Sequence, residues 1–162
     1  MGTMAISFVG TAAMWWLYFD VAQRLGTRYF AEARDTGRVA RLTYTYMHVP
    51  IVAGMIALAA ADEFVMTHPT GPMDDGTRWA IVAGSGLYLL GNLLFRWGFS
   101  GYWSRMHIAG LLVLPALFLG AERMAPWSLL GCSSLLLLTV AVLEGRAWRL
   151  QAADGGHVHP DE

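Results

Sequence analysis

Two lines of polar residues interrupt otherwise apolar stretches of this chain. The first is Tyr44, His48, Met55 and Asp62. On a helix turning about 100° per residue, the other three fall within about 40° of His48. Pro50 stands beside them, and a helical proline removes one backbone donor, leaving the Tyr46 carbonyl without its usual partner. A carbonyl freed next to an imidazole is a place for a cation, a proton or a polar substrate. The alternative is a histidine hydrogen-bonded to a neighbouring helix, with the proline starting its span.

The second line is Ser85, Tyr88, Asn92 and Arg96, at spacings of three, four and four. It forms a continuous stripe that should face protein or a wet cavity instead of lipid. Interhelical hydrogen bonding would use the same stripe. About 100° around the helix, Ala80, Gly84 and Gly91 make a small-residue face suited to close helix packing. Asp20, Asp62, Glu63 and Glu144 are acids near the ends of apolar runs. Such carboxylates are solvated or ion-paired, or they mark the mouths of a path for protons or cations. His157 and His159, two apart near the carboxyl terminus, hold a soft metal only weakly, and four protein ligands are not visible. Cys132, the single cysteine, reads as a small buried filler. Neither a metal site nor a cofactor is expected. The chain shows no hydrolase elbow, nucleotide-binding loop, zinc motif or paired-cysteine motif.

The elements that position these residues follow from composition. Of 162 residues, 56% are apolar and 14% charged, with a mean hydropathy of +0.43. A soluble domain carries roughly 25% charged residues, so this chain cannot cover the exterior of a water-soluble globule. Disordered, collagen-like and disulfide-scaffold classes are excluded on the same grounds. The net charge of −1 gives no reason to expect a nucleic-acid partner. All the basic residues are arginine, which reflects base composition more than chemistry. An all-α polytopic transmembrane bundle in a lipid bilayer is the expectation, built as one unit over residues 1–150.

Five apolar runs, at 1–19, 42–61, 79–95, 106–121 and 124–143, approach the roughly 20 residues that cross a hydrocarbon core of about 30 Å. Residues 106–121 are short and contain His107 and Pro115, so a re-entrant segment is the alternative there. None of the runs alternates as barrel strands do. Between the first and second runs lie Arg24, Arg28, Arg34, Arg38 and Arg41. Arg96 and Arg105 separate the third and fourth, and Arg146 and Arg149 follow the fifth. The opposite side receives only Arg78 and Arg123. That bias places the amino terminus outside and the carboxyl terminus in the cytoplasm. Asp20 and Glu144 then lie on the cytoplasmic side among Arg24, Arg146 and Arg149, and Asp62 and Glu63 lie outside. Asp20 and Arg24 form an acid-then-base pair at spacing four, so the first connector should continue as an amphipathic helix. Residues 151–162 read as a disordered polar tail. The first run lacks a basic amino-terminal region and ends in Trp15-Trp-Leu-Tyr-Phe-Asp20 instead of a small-residue cleavage site. It reads as a retained span with an interfacial aromatic belt, not as a signal peptide.

These stretches together resemble the bacterial low-temperature-requirement protein A family, LtrA. The resemblance rests on Trp15-Trp-Leu-Tyr-Phe-Asp20, on Tyr44 and Tyr46 before His48-Val-Pro50, and on Gly54. It continues through Glu63-Phe-Val-Met-Thr-His-Pro69, Gly86-Leu-Tyr-Leu-Leu-Gly91, Phe95-Arg96 and Glu144. Order and spacing cover most of the chain. Members are typically about twice this length and carry a Glu-Leu-Phe-Phe-Asp type signature in their first half. No such segment precedes Met1, so the chain is expected to match the carboxyl-terminal half. Either the reading frame is truncated, or a second chain supplies the other half, or two copies associate. The resemblance implies a multi-pass protein of the bacterial inner (plasma) membrane and says little about mechanism.

The expected function is a transporter-like or channel-like unit for a small polar solute or ion. Tyr44, His48, Ser85, Tyr88, Asn92 and Arg96 would line its path. The alternative is a structural membrane component that supports growth in the cold. An intramembrane enzyme using His48 and Glu63 is disfavoured, because 15 residues separate them by roughly 22 Å along one helix.

Overall fold

In hydrocarbon a backbone must satisfy its own polar groups, and a helix does so within one segment. The computed structural model accordingly folds the apolar runs into helices, and among the described residues there is no strand. It describes the backbone of residues 2–32, 36–101 and 103–154, and the side chains of residues 2–19, 45–98, 101, 103–147 and 149. The helices are α1 (Gly2–Glu32), α2 (Thr36–Thr67), α3 (Asp75–Ser100), α4 (Arg105–Gly120) and α5 (Pro126–Asp154), with a short 3-10 turn at Ala121–Arg123.

Among the described residues, four of them contain segments long and apolar enough to cross a membrane: Thr45–Thr67, Asp75–Gly98, Arg105–Arg123 and Pro126–Ala147. Each is longer than its apolar run, because a helix does not stop where charge begins. α2 carries Asp62 and Glu63 within its last two turns, and Pro50 lies inside it instead of starting it. α4 runs unbroken through Pro115, and the 3-10 turn completes its length. The segment thus shows no re-entrant reversal and is long and apolar enough to cross. The expected first span is the apolar part of α1, where glycines, threonines and polar-tipped aromatics dilute the hydropathy. α5 continues to Asp154, so residues 151–154 of the expected tail are helical, as Gln and Ala favour. The remainder of that tail, with His157 and His159, lies outside the described residues.

α2 and α3 form an antiparallel hairpin whose register is read from glycines. A Cβ on Gly54 would stand 2.6 Å from the Gly84 carbonyl oxygen and the Tyr88 nitrogen, and one on Gly91 would stand 2.6 Å from Ile51 Cγ1. The backbones therefore touch where only hydrogen fits. The expected packing residues Gly84 and Gly91 both lie in this seam, and half-buried Ala80 packs against the core. α1 runs parallel to α5, with Ile6 near Gly131 and Gly10 near Ser134. α4 lies antiparallel to α3 and α5, Gly110 meeting Leu89 and Val140.

Exposed tryptophans mark two levels. Trp79 and Trp127 lie at one end, and Trp15, Trp16, Trp97 and Trp103 at the other. Trp79 and Trp97 are 18 residues apart on α3, or about 27 Å, close to a hydrocarbon thickness. α3 is closed at both ends. The Asp74 carboxylate accepts from the Gly76 and Thr77 amides at 2.9 Å and from the Thr77 hydroxyl at 2.6 Å. Those bonds, the Thr77 hydroxyl foremost, hold the Asp74 carboxyl below its ordinary pKa. Gly101 ends the helix at φ 65°, a conformation open to glycine.

Candidate functional site

Arg96 ends the polar stripe of α3, and a guanidinium at that depth needs a counter-charge. α5 supplies it. Arg96 Nη1 donates to Glu144 Oε1 at 2.6 Å, with the two side chains 5% and 7% exposed. Ser104, the N-cap of α4, donates its hydroxyl to Glu144 Oε2 at 2.7 Å and accepts from the His107 amide at 3.3 Å. His107 Nδ1 lies 3.0 Å from Ser104 Oγ and 3.3 Å from Glu144 Oε2.

The single Ser104 proton is committed to Glu144, so His107 Nδ1 must carry hydrogen to bond either oxygen. Its Nε2 is buried without a hydrogen-bond partner among the described residues. Arginine, glutamate, histidine and serine from three helices thus share one buried cluster. Burying charge is costly unless it is paired and hydrogen-bonded. Here each carboxylate oxygen has a donor, and one ring nitrogen is left over.

The expected path residues close onto neighbours. Ser85 donates to the Ile81 carbonyl at 2.8 Å, so in its 2.5 Å contact with Ser133 the latter is the donor. The Tyr88 hydroxyl donates to the Met14 carbonyl of α1. Asn92 Nδ2 donates to the Tyr88 carbonyl at 2.9 Å, while its Oδ1 is buried without a partner among the described residues. His48 Nε2 is 2.8 Å from the Tyr18 hydroxyl, and both Tyr18 and Phe95 meet the imidazole edge-on.

His48, Met55 and Asp62 all turn toward α1. Met55 and Asp62 border a groove of about 450 Å³ between α1 and α2, together with Thr11, Met14, Trp15, Tyr18, Phe19 and Ala59. Asp62 accepts from Ser7 at 2.9 Å.

The expected mouth acids separate. Of the solvated and ion-paired alternatives, Glu144 takes the ion pair, turned inward onto Arg96, while Arg149 donates to the Gly145 carbonyl. Glu63 is exposed, and Thr67 takes its backbone carbonyl. The side chains of Asp20 and Tyr44 lie outside the described residues. His48 and Glu63 do not come together.

Ser104, His107, Ser133 and Tyr18 were not expected at these contacts. The spacing of Ser133 and Glu144 repeats that of Ser85 and Arg96, a signal present in the sequence. Ser104 three residues before His107 has the form of a helix cap.

The family described as bacterial low temperature requirement A protein (LtrA) matches residues 1–142. An uncharacterized protein of Rhizobium meliloti (strain 1021) is 31% identical over 144 residues, which is 87% of this chain and 34% of that relative. The chain thus spans about a third of the relative's length. No solved structure matches.

Proposed function

The chain belongs to the bacterial low temperature requirement A (LtrA) family, and from that premise we propose that it is a transporter-like unit for a small polar solute or ion, with Arg96, Glu144, Ser104 and His107 as its charged element. Four spans in a bacterial family make it a multi-pass integral membrane protein. The proposed location is the plasma membrane, with further helices or a second copy as partner. The observation that carries the transport reading is the buried Arg96–Glu144 pair, beside a His107 Nε2 that has no partner among the described residues. Charges this fully buried between helices are costly even near the end of a bundle, and in membrane proteins such groups concentrate on ion and proton pathways. A purely packing role would be met more cheaply by apolar side chains of similar volume.

The test is flux. The full chain is reconstituted in liposomes loaded with a pH-sensitive dye, and proton and ²²Na⁺ movement is followed under an imposed potential. Flux above protein-free liposomes, lowered at least tenfold by Glu144→Gln in protein that stays monodisperse, supports the reading. Equal flux with and without protein, or an undiminished Glu144→Gln variant, overturns it.

A second reading, a structural component supporting growth in the cold, is favoured by the closure of Ser85 on Ser133 and of Tyr88 on the Met14 carbonyl. It expects cold growth to survive paired apolar replacement of Arg96 and Glu144, and to fail when Gly54 or Gly91 is enlarged.

A further inference from the structure

We propose that a sodium ion binds between α1, α2 and α5, held by the Asp62 carboxylate and the hydroxyl oxygens of Ser7, Thr11, Ser133 and Ser134. As a coupling ion this deepens, and rests on, the transporter-like reading; as a binding site it stands on the geometry alone. A void of about 10 Å³ is lined by these five residues together with Gly10 and four apolar side chains, at the lower limit of the space that one water-sized guest needs.

Two of its hydroxyl oxygens, those of Ser7 and Ser133, have their protons committed. Ser133 spends its proton on Ser85, and Ser85 spends its own on the Ile81 carbonyl. Ser7 spends its proton on Asp62. Oxygens whose protons point elsewhere present lone pairs. Gly10 makes room for a further hydroxyl: a Cβ there would stand 2.7 Å from Ser134 Oγ.

Charge and size select the ion. Asp62 is half-buried, and its described partner is a neutral hydroxyl, although Arg78, the described cation nearest this end of α3, is engaged by Asp75 and Glu122. A carboxylate partly taken out of water is helped by a compensating positive charge. One carboxylate balances one charge. Calcium sites gather six to eight oxygens with several carboxylates, and potassium needs a wider cage. Entry is provided by the groove between α1 and α2, which shares Thr11, Met14 and Asp62 with the void. The site is separate from the Arg96 cluster. The α2/α3 register sets Asp62 level with Ala80, sixteen residues or about 24 Å from Arg96.

The full chain, purified in detergent with choline as the cation, is unfolded by heat while tryptophan fluorescence is recorded. Sodium chloride is titrated against potassium chloride and choline chloride at constant ionic strength. The expected result is a saturable rise in Tm with sodium alone, absent in Asp62→Asn. No difference among the salts, or an equal sodium response in folded Asp62→Asn, overturns the site. Should Asp62→Asn fail to fold, Ser134→Ala decides: a several-fold higher sodium requirement supports the site, and an unchanged one overturns it. Liposome flux separates the two readings. A sodium shift without flux keeps the site and removes its coupling role, whereas flux without any sodium shift removes the site and leaves transport standing.

Discussion

Arg96 and Glu144 meet at 2.6 Å, eleven residues further along their helices than the hydroxyl contact between Ser85 and Ser133. Both contacts join residues 48 apart, so α3 and α5 run parallel in one register. Eleven residues are close to three turns, which returns each helix to the same face about 16 Å further on. The neutral contact sits deep in the bundle and the charged one near its end, where ions cost less to hold.

Breaking this pair on one side should destabilise far more than removing it whole. Arg96→Met or Glu144→Leu alone leaves one uncompensated buried charge and is expected to lose about 3–5 kcal/mol, whereas the double variant should recover most of that loss. A double-mutant cycle by denaturant unfolding in detergent reads the coupling. Additive single and double effects would show that the contact carries no energy. If the double variant is stable but without flux, the pair serves function more than folding.

The fold was legible and the pairing was not. Long apolar runs announce helices because no other segment satisfies its backbone in lipid, and the stripe from Ser85 to Arg96 announced a protein-facing side. Both depend on a single helix. The partner of Arg96 depends on how two helices dock, and Glu144, near the end of its run, looked like a surface acid from composition. His107 is hidden for the opposite reason: inside a short run that also holds Pro115, it shortens the apolar stretch without pointing to a partner. The matched spacing of Ser133 and Glu144 needed two stripes to be compared, and only α3 offered one that was obvious.

The glycine seam yields a sharper stability contrast. Alanine at Gly54 or Gly91 would put its Cβ within 2.7 Å of backbone atoms of the facing helix, so α2 and α3 must part. The expected loss is about 1–3 kcal/mol for each. Gly71→Ala and Gly120→Ala meet nothing within 4 Å and should stay within about 0.5 kcal/mol of wild type. Thermal unfolding of the four variants in one detergent checks this, and equal losses at all four positions would remove the close-packing account.

Asp74 predicts a pH effect at the start of α3. Its carboxyl is held below the ordinary pKa in the folded chain. The stability it contributes is therefore present above the unfolded value, near pH 4, and is lost as pH falls through the lower folded value. Asp74→Asn keeps a capping oxygen at every pH. Its Tm should fall less than that of wild type as the pH is lowered through this range. Parallel curves would mean that the cap carries no part of the acid sensitivity.

Sidedness is the prediction that fixes which end of the bundle each site faces. Nine arginines fall on one set of connectors and Arg78 and Arg123 on the other, so the Arg96 cluster should lie toward the cytoplasm and Asp62 toward the exterior. Thr70, in the connector before α3, and Arg105, the first residue of α4, are exposed positions at opposite ends of the bundle. With Cys132 changed to serine, Thr70→Cys should react with a membrane-impermeant maleimide in intact cells, and Arg105→Cys only after permeabilisation. The reverse pattern would turn the bundle over. The sodium site would then open to the cytoplasm, and the Arg96 cluster would meet the outside medium, leaving their separation unchanged but the direction of any coupled flux inverted.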